Sequence, residues 1–221
     1  MSEKEKVSSI SGIRVKGLLV EKGVRISKNQ NVAEISSRGY GVAENDELLL
    51  TFYEALYLLD KGFLEVEDEK GKKVDFQKLL QCYEDADENA WAKYLAYRDL
   101  RSRGYVVREG FGLGVDFRVY ERGEYSKDTA KYLILSIQEG KPISLEDLTR
   151  IMTQCQSLKK ELVLTVMNRR GEIVYYSVSQ LTLNEGEFGH ASFQDCSWNE
   201  GFSTRRSKND EVYRGKSQKN S

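Results

Sequence analysis

Apolar and polar positions alternate in short blocks along the chain, and each change of period predicts a change of element. Residues 13–19 and 24–26 are β-branched runs interrupted by glycine, which predicts short strands in a meander. Gly39 and Gly41 then mark a turn region. From Asn45 the period lengthens. In "NDELLLTFYEALYLLDKG", Leu48, Phe52, Leu56 and Leu59 fall at helical spacing, with Asn45 or Asp46 as the cap. Lys61 followed by Gly62 is a helix stop, a cation in the last turn and then a glycine. "FLEVED", a turn at Gly71 and "VDFQKLLQCYE" predict a strand and a second short helix.

The acidic segment "EDADEN", residues 84–89, is the predicted domain boundary, and it brings negative charge to the first turn of the helix that follows. That helix, residues 88–102, carries Trp91, Tyr94, Leu95, Arg98 and Leu100 and stops before Gly104. "YVVRE", "DFRVYERG" and "KYLILSIQ" are strand-like runs parted by glycine-containing turns. "SLEDLTRIMTQCQSLKK" opens on Ser144 with Glu146 and Asp147 in its first turn, close to a capping box. "ELVLTVMNRRGEIVYYSVSQL" is a hairpin with Gly171 at its tip.

The order helix, three strands, helix, two strands predicts an α/β (α+β) chain with helices packed on mixed sheets. The predicted organisation is a small N-terminal module, residues 1–84, a mixed-sheet domain, residues 85–183, and a polar tail, residues 184–221. Past Gly201 the chain has six Lys or Arg against Asp210 and Glu211 with no apolar periodicity, which predicts a disordered tail.

Composition narrows the class without naming a reaction. Apolar residues at 39% and charged residues at 31% suit a soluble chain with enough material for a core. No apolar run approaches the roughly 18 residues of a membrane span, and "MSEKEKVSSI" lacks the apolar stretch of a secretory signal. The three cysteines, Cys82, Cys155 and Cys196, are widely spaced and odd in number, which fits reduced thiols in a cytoplasm and gives no metal-ligand spacing. No metal or cofactor is expected. The net charge of -1 does not advertise a nucleic-acid binder, but it leaves room for a local basic face. His190 is the single histidine, so a mechanism needing an imidazole must use it or borrow one from a partner.

The chemistry-bearing residues concentrate in "YRDLRSRGYVVREGFGLGVDFRVYERG". Arg98, Arg101, Arg103, Arg108, Arg118 and Arg122 interleave with Tyr97, Tyr105, Phe111, Phe117 and Tyr120. Guanidinium forks pair with phosphate and aromatic faces stack on unpaired bases, so this mixture suits RNA. The bland alternative is a solvated helix face and core aromatics. "GFGLG" is not a dinucleotide fingerprint, because a strand and not a helix follows it. Tyr120, Lys159 and Lys160 are candidates for acid–base and charge-stabilising roles, and Asp116 for capping or ligation.

These segments, in this order, resemble the archaeal tRNA-splicing endonucleases. "EALYLLDKG" is similar to the family's "EALYLLERG", and "RGY" and "DFRVY" to its nuclease-domain elements. "ISLEDLTRIMTQCQSLKKELVLTVMNRRGEIVYYSV" is similar to the helix and hairpin that follow, and the resemblance spans about residues 40–180.

The resemblance implies a metal-independent reaction. A tyrosine takes the proton of a ribose 2′-hydroxyl, a histidine protonates the leaving 5′-oxygen and a lysine stabilises the phosphorane, giving 2′,3′-cyclic phosphate and 5′-hydroxyl ends. Carried over, the tyrosine is Tyr120 and the lysine is Lys160, with Lys159 the neighbouring possibility. Arg118, Arg122 and Lys159 are the RNA-contacting candidates. The family's histidine stands in an "HSKYL"-like segment, and this chain has "TAKYL", so Thr129 occupies the position. Threonine does not titrate near neutrality and cannot serve as that acid. The arginine expected seven residues before the lysine is Thr153.

The resemblance therefore implies the structural subunit of a heterotetramer acting on precursor tRNA with a catalytic partner. The hairpin near residues 172–183 would be the intersubunit surface, although its tip, "NRRGE", is basic where the family's is acidic. The alternatives are an active nuclease with a substitute acid such as His190, and an RNA-binding module that does not cleave.

Overall fold

The computed structural model describes residues 14–27, 30–44, 47–110, 112, 114–121, 123, 125 and 129–180. The tail at 184–221, His190, Cys196, Phe111, Arg122 and the proposed caps Asn45 and Asp46 lie outside the described residues. In the N-terminal module, β1 (Val15–Val20) and β2 (Gly23–Ser27) form the expected antiparallel pair, with Leu18 opposite Arg25. The sheet is not a simple meander, because β1 also pairs in parallel with β5 (Leu64–Glu67). With β3 (Val42–Glu44), β4 (Glu47–Leu50) and β6 (Lys73–Val74), the strand order is β3-β4-β2-β1-β5-β6.

Two local expectations change. Helix α1 (Gln30–Ser37) was not foreseen, since its buried apolar contacts rest on only Val32 and Ile35 in eight residues. The long predicted helix begins later. "ELLL" is β4, with Leu48 and Leu50 buried and Glu47 and Leu49 half-buried, and the helix is α2 (Phe52–Asp60). A short apolar run fits either period. Pairing with β2 on one side and β3 on the other settles it as a strand. Thr51 turns the chain into α2, and the Glu54 carboxylate accepts the Thr51 backbone N–H at 3.0 Å. Gly62 ends the helix at φ 74°, as its position after Lys61 predicts. Asp75 caps α3 (Phe76–Ala86) by accepting the Lys78 N–H.

In the C-terminal domain, β7 (Val106–Glu109), β8 (Phe117–Tyr120), β9 (Tyr132–Gln138), β10 (Glu161–Met167) and β11 (Ile173–Val178) form a sheet ordered β11-β10-β9-β8-β7. The β7–β8 connection is a loop over residues 110–116, longer than the tight turn expected, with Gly112 and Gly114 at positive φ and its ends joined by the Gly110 N–H donating to the Asp116 carbonyl at 2.9 Å. Strands β9 and β10 run parallel, which requires a crossover. Helix α5 (Leu145–Ser157) supplies it, capped by Ser144, and buries Ile151 and Cys155 against Leu133 and Leu162 on one face of the sheet. Helix α4 (Ala90–Ser102) belongs to the main core, with Val107, Phe117, Val119 and Ile134.

That core runs without a break from one module into the other. Tyr53 of α2 lies 4.8 Å from the Tyr97 ring and 5.1 Å, edge-on, from Phe117. Two arginines of the sequence cluster reinforce the junction. Arg101 sits 3.8 Å over the Tyr40 ring and donates to the Arg38 and Tyr105 carbonyls. Arg108 donates to the Gly39 carbonyl at 2.9 Å and reaches the buried Glu54 carboxylate at 3.4 Å. Gly39 has φ 78°, and a side chain there would meet Val106 Cγ1 at 2.5 Å, so glycine permits this approach. Arg101 and Arg108 thus serve the junction and not an RNA surface.

Burial raises the Glu54 pKa above the carboxylate range, outweighing the Thr51 N–H, Arg108 and the Gly41 N–H, which all lower it. The folded state then holds a proton that the unfolded chain releases near the ordinary value, so stability falls as pH rises from there toward the folded pKa. Urea unfolding of wild type and Glu54→Gln across pH 4–8 should show this decline in wild type, with its Glu54 component absent from the variant.

Candidate functional site

The ends of three adjacent strands bring the sequence candidates together. Val119 and Glu161 both lie opposite Tyr132, on β8 and β10 respectively. Tyr120 is the residue after Val119, and Lys160 is the residue before Glu161. The backbone between them is tied across. Lys131 N–H donates to the Val119 carbonyl at 3.1 Å, and Glu161 N–H donates to the Lys131 carbonyl at 3.2 Å. Tyr120, Thr129 and Lys160 therefore share one end of the sheet although they span 41 residues of sequence.

Lys160 is placed by the end of α5. Leu158 is the C-cap, Lys159 N–H donates to the Gln156 carbonyl, and Lys160 N–H donates to the Cys155 carbonyl at 2.9 Å. This is the Schellman arrangement, which asks for a left-handed residue at Lys159. Lys159 takes that conformation at φ 55°, the one non-glycine residue with positive φ among those described. The two lysines thereby separate. Lys159 is exposed on the turn, while Lys160 is half-buried and its Nζ donates to the Thr129 Oγ1 at 2.5 Å. An L-residue in αL is strained by about 1–2 kcal/mol, and glycine gives some of that back through unfolded-state entropy. Lys159→Gly should therefore stabilise the fold by about 0.5–1 kcal/mol in urea unfolding, with the position of Lys160 retained.

Tyr120 is half-buried and stands edge-on to Tyr125, with ring centroids 5.1 Å apart. Tyr125 in turn lies against the Gly39 turn of the N-terminal module. Arg118 alternates with the buried Phe117 and Val119, so it shares the sheet face of Tyr120, and its Nε donates to the Glu109 carbonyl at 2.8 Å. Thr153 is exposed on α5 and its hydroxyl returns to the Thr149 carbonyl. A guanidinium does stand one turn earlier, on Arg150, paired with Asp147 at 2.9 Å.

Sequence reasoning passed over Lys131 and Tyr125. Lys131 Nζ pairs with Glu121 at 2.9 Å and lies 5.0 Å from the Tyr132 ring centre; its hydrogen bonds to Tyr132 and Glu121 raise its pKa, so it stays a cation. Its position two residues after Thr129 was the available signal. Tyr125 had none, because its role depends on a turn from the other module.

At the other end of β9, Asp116 is structural. Its carboxylate accepts the Ser136 N–H at 2.6 Å and pairs with Lys93 at 2.8 Å, and Lys93 also reaches Asp87 at 2.6 Å. Burial raises the Asp116 pKa against the pull of Lys93 and the Ser136 N–H. Burial lowers that of Lys93, but Asp116 and Asp87 together outweigh it, so the ammonium stays charged. This cluster fastens the β7–β8 loop and the start of α4 to the sheet.

The chain thus carries a mixed-sheet N-terminal module with helices, followed by a five-stranded domain that gathers Tyr120, Thr129 and Lys160 at one sheet end. The sequence matches the family model described as tRNA intron endonuclease, N-terminal domain, over residues 15–80, and that described as tRNA intron endonuclease, catalytic C-terminal domain, over residues 90–175. It is 32% identical over 165 residues to the tRNA-splicing endonuclease of Methanococcus maripaludis, covering 75% of this chain and 93% of that protein. It is 35% identical over 143 residues to that of Pyrococcus horikoshii, covering 65% of this chain and 82% of the relative. The chain belongs to the tRNA intron endonuclease family.

Proposed function

We propose that this chain is the structural subunit of a tRNA-splicing endonuclease, in which a second subunit supplies the cleaving site. The assembly would excise introns from precursor tRNA at bulge–helix–bulge sites, leaving 2′,3′-cyclic phosphate and 5′-hydroxyl ends. The observation that supports it is Thr129 at the position of the general acid, with its hydroxyl bonded to Lys160 Nζ at 2.5 Å.

Tyr120 and Lys160 remain at the ends of β8 and β10, on either side of β9. The ammonium suits the charge of a pentacoordinate phosphate, and the phenol suits proton removal from a ribose hydroxyl once ionised. Neither protonates a departing 5′-oxygen near pH 7 as an imidazolium does, and a threonine hydroxyl is far too weak an acid. The site holds two of the three required groups.

Edge strand β11 supports an assembly. Among the described residues it has no neighbour on its outer side, and Val174 and Tyr176 are exposed on it. An open edge with apolar side chains is a surface that proteins ordinarily cover.

The test is metal-free cleavage of an intron-containing precursor tRNA by the chain alone, and again with the histidine-bearing subunit from the same organism. Silence alone and cleavage on mixing is the expected result. Cleavage by the chain alone overturns it and makes His190→Ala the next variant. RNA binding without cleavage in either setting makes the chain a non-cleaving RNA-binding module.

A further inference from the structure

A recess of about 440 Å³ opens where the start of α2 meets the β7–β8 loop, at the sheet end away from Tyr120 and Lys160. Phe52, Tyr53, Tyr83 and Phe117 make its apolar wall, with Phe52 stacked on Tyr83 at 5.4 Å and Tyr53 edge-on to Phe117 at 5.1 Å. Its charged lining is Asp87, Glu109 and Asp116 against Lys22 and Lys93. Lys93 is already engaged, bridging Asp87 at 2.6 Å and Asp116 at 2.8 Å. Glu109 is exposed, and among the described residues its carboxylate has no ion-pair or hydrogen-bond partner. The field inside is negative. Burial raises the Tyr83 and Tyr53 pKa values, and carboxylates raise them further, Asp87, Asp116 and Glu109 acting on Tyr83 and Glu54 and Glu109 on Tyr53.

Solvated carboxylates alone specify no ligand. The second observation is a buried hydroxyl. Tyr53 is only 7% exposed, and its Oη has no hydrogen-bond partner among the described residues. Thr51 Oγ1, beside it on the same wall, is also buried and unpartnered. Were the two hydroxyls bonded to each other, lone pairs would still stand idle. Buried polar groups are ordinarily paired, so these oxygens and the Glu109 carboxylate are acceptors in want of a donor. An ammonium carries three donors and no acceptor, and aromatic faces attract it. An anion does not suit the recess, because Glu54 already takes the Thr51 N–H at the start of α2 and the carboxylates repel negative charge.

We propose that this recess binds an aliphatic amine, whose ammonium donates to the Tyr53 hydroxyl oxygen and the Glu109 carboxylate while its hydrocarbon stem lies against the Phe52 and Tyr83 rings. The site is separate from the tyrosine and lysine of the nuclease domain, and it stands whether or not the structural-subunit reading does.

The test titrates the full chain with n-butylamine, protonated near neutral pH, and with n-butanol as its neutral isostere, following backbone amide shifts by NMR. The expected result is saturable shifts at Thr51, Gly112 and Gly114 with the amine, a Kd of about 1 mM or tighter, and no binding of the alcohol. Glu109→Gln should weaken binding about tenfold or more, and Tyr53→Phe about fivefold. Tyr53→Phe should also be at least as stable as wild type in urea, because the free protein loses no hydrogen bond. Amide shifts away from the recess check that both variants fold. Alcohol binding as tight as amine binding makes the recess a plain apolar slot and overturns the proposal. So do shifts that never saturate, and so does an affinity unchanged in both variants, which puts the amine elsewhere. A Tyr53→Phe variant clearly less stable than wild type overturns it too, by showing that the hydroxyl has a partner within the fold. Tighter binding of an end-blocked Gly-Lys-Gly peptide than of the amine overturns the free-amine assignment and makes the occupant a protein side chain.

Discussion

Thr129→His is expected to turn a silent chain into a cleaving one. If the proposed function holds, the site lacks one proton donor, and position 129 places a side chain against Lys160 and at the same sheet end as Tyr120. A positioned general acid contributes about 10²–10⁴-fold to a rate. Position 129 is exposed, so an imidazole fits without disturbing the core. The Lys160 ammonium beside it disfavours the imidazolium, which sets its pKa below the ordinary value of about 6.5. Activity of the variant should therefore fall as pH rises through that lowered pKa. Thr129→Asn is the control, polar and similar in size but with no proton to give. The measurement is the metal-free rate on a bulge–helix–bulge RNA as a function of pH, for wild type and both variants. If the histidine and asparagine variants are equally silent, more than the acid is missing and the two-of-three description of the site is wrong.

Arg108→Ala should be the most destabilising single change at the junction of the two modules. The guanidinium is mostly buried and its carboxylate partner Glu54 almost wholly so, with side chains 15% and 3% exposed. Removing one member of a buried pair strands the other, and such changes cost about 3 kcal/mol or more. Glu54 is already pushed up by burial and can neutralise itself by taking a proton, which holds the loss near the lower figure. The Gly39 carbonyl also loses its donor. At this size the change corresponds to a fall of about 6–12 °C in Tm. The double variant Arg108→Ala/Glu54→Gln should recover part of the loss, because no buried charge is then left alone. Equal losses in the single and double variants would show that Arg108 acts through Gly39 and packing, with Glu54 a bystander.

Much of the architecture was legible in the sequence. The cap at Ser144, the stop at Gly62 and the hairpin tip at Gly171 are local devices, and each stands where its residue type predicts. The family motifs were equally legible, since motif order needs no three-dimensional information. Long-range relations were not. "ELLL" reads as either period until β2 and β3 flank it. The arginine–aromatic cluster looks like one RNA surface in sequence, yet Arg101 and Arg108 turn inward to Tyr40 and Glu54, and Tyr97 and Phe117 join the core. Lys159 and Lys160 could not be told apart by spacing. The left-handed turn at the end of α5 leaves one on the surface and carries the other to Thr129.

The sequence by itself determined most of the helices and strands, where most of them stop and which family the chain resembles. All of these follow from residue type and near-neighbour spacing. The tertiary structure alone decided that Tyr120, Thr129 and Lys160 share one sheet end and which arginines are consumed within the fold. Those outcomes depend on strand register and on the desolvation of charged groups, and both are set by residues tens of positions away in the chain.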